Sequence, residues 1–379
     1  MRKLFTLLAF GVVLSALGNA PFMKKGAPAI RSMGTLVFNE DGVLFIGDSK
    51  NATIYAVDLQ ESPVAEVEKP LMIPNLETKL AALLGTTDDD VLIHDIAVNP
   101  VSKNTYISVS RGRANWTSNW QLPKELSDAT ILVRVSPDGT MEEASLSDVL
   151  FAEATIPNPV SEDKDHRWKK GAKLRADAIS DIAFSNGKVY ISGLSNEEFA
   201  ASMWVLDYPF TGEASATTLE IFHGAHGKYE THSPVRAFLP YEIEEKEQIL
   251  AAYLCTPLVT FETASLKDGT HVKGRTVAEF GSGNFPVDMV LYQNNGNDYI
   301  LMSHSQLPLM IIDPKDVADY KGSITEEVEG YLAGVKYTPR SGSGIYQLAD
   351  FNEKYILATQ RLAGGNLALV SLSKSRLRP

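Results

Sequence analysis

Asp95, Asp177, Asp181, His232, Arg236, Asn284 and Asp288 all stand at or just before the start of an apolar strand-like run. Carboxylate, amide and imidazole donors gathered from several such runs are what a bound divalent cation requires. The expected metal ligands are Asp181, His232, Asn284 and Asp288, with calcium as the ion the oxygen-rich set suits. Asp181 or Asp288 could then act as a general base beside a cation that polarises a carbonyl. Arg236 could instead hold a carboxylate or phosphate by a bidentate pair. His94, Asp95, Asp177, Arg236, Gln347, Trp116 and Trp120 make up the expected ligand-binding set. A softer alternative groups Cys255, His232 and His304, whose thiolate and imidazoles suit copper or zinc. His223-Gly-Ala-His226 places two imidazoles three residues apart. No helix fixes that spacing, so a solvated loop is expected over a metal clamp. Each Asp also has a plain structural role, since Asx-type turns use the same residue before a strand.

These residues are positioned by a repeated unit. Anchors at Thr35, Asp95, Asp181, Arg236, Asp288 and Gln347 lie 60, 86, 55, 52 and 59 residues apart. Each anchor precedes an apolar run such as Leu36-Val-Phe38, Ile182-Ala-Phe184 or Met289-Val-Leu291. A second β-branched or aromatic run follows, such as Leu44-Phe-Ile46, Val189-Tyr-Ile191 or Tyr299-Ile-Leu-Met302. Asp-Gly and Asn-Gly pairs between them read as hairpin turns. Helical pattern is confined to Glu77–Leu84 and Asp316–Asp319. A lone four-stranded unit cannot bury its own faces, so stacked copies are required. The fold class is all-β, a β-propeller of six blades with long loop insertions on its top face. Five or seven blades also fit, because 65–73 and 145–151 resist assignment.

In a blade, the loops before the first strand and after the second share one face. That sorting puts six of the seven histidines at one mouth, with His271 on the opposite edge. Counting four residues back from each anchor adds Arg31, Val91, Asp177, His232, Asn284 and Ser343 as a second ring around the channel. Two insertions, 111–120 and 158–175, overhang the same mouth, and long loops in compact domains often carry function. Trp116 and Trp120 in the first could stack on a sugar or aromatic ligand, or pin their own loop.

Gly281-Ser-Gly-Asn-Phe-Pro-Val-Asp288, followed by Tyr299-Ile-Leu-Met302 and Leu309-Met-Ile-Ile-Asp313, resembles the NHL repeat. Thr35 to Asp48, followed by Ile54-Tyr-Ala-Val-Asp58, is similar to blades of the SMP-30/gluconolactonase-like propellers. The likeness is one of blade pattern over most of the chain. It implies six blades and, from the lactonases of that class, a channel cation held by Glu, Asn and Asp. The Glu-Gly-Pro that supplies the Glu there is absent, and Ser32-Met-Gly34 stands in its place.

Arg2 and Lys3 followed by the apolar run Leu4–Leu17 read as a secretory signal over 1–18. An N-terminal segment, 19–32, and a single propeller domain, 33–375, follow. No later stretch of about 18 apolar residues occurs that would span a membrane. A net charge of -12 argues against general nucleic-acid binding. Cys255 is the single cysteine, so no intrachain disulfide is possible. Export without disulfides suits a periplasmic or secreted protein. Gly-x-Ser-x-Gly, His-Glu-x-x-His, a phosphate-cradling glycine loop and Cys-x-x-Cys-His are all missing. The expectation is a non-catalytic propeller that binds a small ligand, a divalent cation or a periplasmic partner protein at its mouth. The alternatives are a metal-dependent hydrolase or lactonase, and a scaffold or subunit of a redox system. The oligomeric state is not legible.

Overall fold

The computed structural model describes residues 22–64, 67–111, 129–166, 172–254, 257–281, 283–330 and 332–379. The expected signal segment 1–18, Trp116, Trp120 and Cys255 lie outside these residues. Among the described residues no helix is long and apolar enough to cross a membrane.

Hairpin turns set the first two strands of each blade. Asn186-Gly187 and Asn295-Gly296 both adopt positive φ at both positions, the left-handed geometry that matches strand twist. They close the pairs Ser185↔Lys188 and Asn294↔Asn297. The equivalent turn of the next blade uses Glu244-Glu245 at φ 52 and 61, without a glycine to relieve it.

Six sheets result, antiparallel throughout except where Thr270–Lys273 pairs parallel with Ser215–His223 in blade 3. Their inner strands are Met33–Phe38, Val91–Val98, Asp181–Ser185, Val235–Ile243, Pro286–Asn294 and Ile345–Asp350, numbered here as blades 1 to 6. Contacts between neighbouring inner strands close a ring, so the fold is a six-bladed β-propeller. Each second strand is almost wholly buried, as in Val43–Asp48, because it is packed between sheets on both faces. Separate apolar clusters fill each inter-blade space, for example Phe45, Ile54, Ile182, Ile191 and Trp204 between blades 1 and 3.

Chain order and circular order differ. Around the ring the blades run 2, 1, 3, 4, 5, 6 and back to 2. After three strands of blade 1, the chain lays Met72–Ile73 against the outer edge of blade 6. A helix, Leu76–Leu84, follows, with Leu76, Leu80, Ala81 and Leu84 on its buried face and Gly85 at φ 62 ending it. Blade 2 is then built between blades 6 and 1. The chain returns through Val149–Thr155, which becomes the fourth strand of blade 1. The expected helix at 77–84 is therefore present, and 316–319 lies within a short helix, Pro314–Asp319. The propeller reaches beyond 33–375 at both ends. Lys24–Gly26 adds a fifth strand to blade 1, and Leu377 is buried and accepts the Tyr292 hydroxyl.

Candidate functional site

The six anchors stand one per blade at the same end of the inner strands. In circular order they read Asp95, Thr35, Asp181, Arg236, Asp288 and Gln347, so acids alternate with other residues. The three acids share one local design. Asp95 Oδ1 accepts the Ile96 amide at 2.8 Å, and its Oδ2 accepts Leu36 N of the next blade at 2.7 Å. Asp181 does the same with Ile182 at 2.8 Å and Phe238 at 2.9 Å. Asp288 does so with Met289 at 2.7 Å and Leu348 at 2.6 Å. Opposite each acid on the second strand is a serine: Ser108, Ser192 and Ser303. Ser108 and Ser303 donate across the blade boundary to Gly34 O and Tyr346 O, and Ser180, bonded to Ser192, donates to Val235 O. Blades 2 and 1, 3 and 4, and 5 and 6 are thereby tied as three like pairs.

Inner strands bulge beside the anchors, at Ile93/Asp95, Val235/Ala237, Pro286/Asp288, Met33/Leu36 and Ile345/Leu348. A bulge turns a side chain that would pair with the neighbouring strand out of the pleat. His94 and Arg236 sit at such bulges and are exposed to the channel. His94 Nε2 is 2.7 Å from Ser110 Oγ, and enclosure by the channel wall pushes its imidazole pKa down.

The acids are largely enclosed by protein yet keep part of their surface exposed. Desolvation, then repulsion from Asp288, pushes Asp181 up to about 8, against the pull of two backbone amides and Arg236. Asp288 is pushed up to about 7 by the same enclosure, opposed by Leu348 N, Met289 N and Arg236. Asp95 is raised by desolvation and by repulsion from Asp288 and Asp181. Three carboxyls thus crowd one opening with a single guanidinium near two of them. Gln347 joins blade 6 to blade 2, its Nε2 3.5 Å from Ile93 O and its Oε1 accepting the Thr359 hydroxyl. Beyond the ring, a recess of about 300 Å³ opens between blades 1, 2 and 6, lined by Leu36, Ile96, Val98, Leu348 and Asp350 among others.

The second ring is not a ring of ligands. His232 is exposed, with Nδ1 2.8 Å from Thr231 Oγ1. Asn284 is buried; its Nδ2 lies 2.8 Å from His304 Nδ1 and its Oδ1 accepts Gln306 N at 3.1 Å. Asp177, at the end of the short turn Leu174–Asp177, faces His166 of the 158–175 insertion at 3.3 Å. Asp181, His232 and Asp288 do not bring ligand atoms within 4.8 Å of one another; among the described residues the group that does so is His223, His226 and Glu230. That group lies on the same face as the mouth, but at the end of the fourth strand of blade 3 and its return hairpin, far from the inner strands. Glu230 and Glu279, which surround the two histidines, were not among the sequence-derived candidates. The i, i+4 spacing of His226 and Glu230 was the available signal, whereas Glu279 comes from blade 4 and carried none.

No family model matches this chain, and no curated protein matches it. Among solved structures, hydrazine synthase of Kuenenia stuttgartiensis is similar over 91% of this chain and 97% of its own, at 13% identity and a TM-score of 0.38. The NHL and SMP-30 resemblance accordingly rests on blade pattern alone.

Proposed function

We propose that this chain is an exported, non-catalytic binding propeller whose channel mouth receives a small cationic ligand, with a hydrated calcium ion as the form the acid ring suits best. The observation that carries this reading is the crowding of Asp95, Asp181 and Asp288 at one opening with Arg236 as the nearby cation. A cation between them would relieve the repulsion and desolvation that raise their pKa values. Each carboxylate oxygen already accepts one backbone N–H, which leaves one lone-pair direction per oxygen for a ligand or its water shell. Because the ligand atoms of Asp181, His232 and Asp288 do not come within 4.8 Å of one another, an ion held through water fits better than one gripped by that full set. Export rests on the apolar run Leu4–Leu17 behind Arg2 and Lys3.

The hydrolase reading is less well supported, since Asp181 and Asp288 both hold two backbone amides and are fixed as blade ties. A copper or redox role for Cys255, His232 and His304 has less support again, because His232 and His304 bond to Thr231 and Asn284 in separate loops. Thermal unfolding with added calcium chloride, and again after EDTA, tests the proposal. A calcium-dependent rise in Tm that is absent in Asp181→Asn supports it; an unchanged Tm in both conditions contradicts it.

A further inference from the structure

We propose that His223, His226 and Glu230 form a second binding site, for a late first-row divalent metal such as zinc, on the outer rim of blade 3. His223 Nδ1 lies 3.1 Å from Glu230 Oε2, and His226 Nδ1 lies 2.7 Å from Glu230 Oε1. The two imidazole centroids are 3.8 Å apart, and the three ligand atoms all fall within 4.8 Å of one another. Two imidazole nitrogens and a carboxylate are a zinc-type donor set, and imidazole selects against calcium and magnesium.

The local chain holds this geometry. Ser215–His223 ends at His223, Gly224–His226 forms one tight turn, and Gly227 at φ 60 returns the chain into Lys228–Glu230. The hairpin pairs Ile221↔Glu230 and His223↔Lys228, which sets Glu230 beside both rings. Glu279 of blade 4 anchors the turn by accepting Gly224 N at 2.6 Å. Other groups facing the site are Ser233, which donates to Glu230 Oε2 at 3.0 Å, and Lys228, whose Nζ is 3.8 Å from Oε1 and 65% exposed. Lys228 can therefore swing away to solvent when a cation enters.

Two orphaned atoms supply the independent observation. His223 is 1% exposed and its Nε2 has no hydrogen-bond partner among the described residues; Glu279 is 2% exposed and its Oε2 has none among them either. In the metal-free protein both histidines donate from Nδ1 to the carboxylate, so His223 Nε2 is a buried, unsatisfied acceptor. Metal bound at Nδ1 moves that imidazole's proton to Nε2, turning the orphan acceptor into a donor. Glu279, close enough to feel the charge of His223 though not hydrogen-bonded to it, has the free buried oxygen to take up the acceptor role that metal-ligating histidines ordinarily have behind them. His226, with its side chain 40% exposed, leaves a solvent-facing position for water as a fourth ligand.

Titration of the full, tag-free chain with zinc chloride by calorimetry tests this, with cobalt(II) absorption as a second readout of coordination. The expected result is one zinc per chain with micromolar or tighter affinity. His226→Ala, a surface change that leaves the fold intact, should remove that binding, and Glu279→Gln should weaken it by roughly 10- to 100-fold while keeping the stoichiometry. Asp181→Asn should leave zinc binding unchanged, which separates this site from the channel. No zinc uptake by the folded wild type, or undiminished affinity in His226→Ala, would overturn the proposal.

Discussion

Asp181 Oδ2 accepts the Phe238 amide at 2.9 Å across the boundary between blades 3 and 4. Asp95 with Leu36 and Asp288 with Leu348 repeat that relationship at the other two pair boundaries. One residue type therefore does two things: it ties blades together, and it lines the opening with acid.

Stability should fall as pH rises through the titration of this ring. Asp181 and Asp288 are raised from 3.8 to about 8 and about 7 in the folded chain, so between those values the folded state binds more protons than the unfolded one. Their contribution is fully present below about pH 4 and is lost by about pH 8. Urea unfolding across this range should show a decline that is shallower in Asp181→Asn. An equal or steeper decline in the variant would mean that the ring does not control the pH response.

Truncating an anchor should cost more than a surface change. Asp288→Ala strips the acceptor from both Met289 N and Leu348 N. Two amides without partners, eased by channel water, correspond to a loss of about 2 to 3 kcal/mol. Chemical denaturation measures it, and a change below about 0.5 kcal/mol, the surface norm, would show that the ties are dispensable.

The turn at Glu244-Glu245 should be improvable. Both residues sit at positive φ, where blades 3 and 5 use Asn-Gly. Replacing the pair by Asn-Gly should raise stability by about 1 kcal/mol, even though the exposed Glu244–Lys321 ion pair is lost. A lower denaturation midpoint would show that the turn's side chains matter more than its backbone.

Much of this architecture is written in the chain. The anchors Thr35, Asp95, Asp181, Arg236, Asp288 and Gln347 mark the six inner strands because each is a polar residue within or at the start of its strand, followed by an apolar run. The order of blades is not visible in the same way. An apolar run records that a strand is buried, but not which neighbour it pairs with. The two segments that resist assignment, 65–73 and 145–151, contain or lead into the strands that leave their own blade: Met72–Ile73 in blade 6 and Val149–Thr155 in blade 1. The first is only two residues long, and the second has a mixed burial pattern at the sheet's outer side. Counting back four residues failed to find a second ring because the chain before each inner strand is irregular. Val91 is already inside a strand, whereas Asn284 is locked in a loop with His304.

Calorimetric titration of calcium chloride into the wild type and an Asp181→Asn/Asp288→Asn variant at pH 8 tests the central claim most directly. The expected result is about one ion per wild-type chain, weaker binding at pH 6 where the ring holds its protons, and no binding in the folded double variant. Equal binding by both proteins, or none by the wild type at either pH, would contradict a cation site at the acid ring.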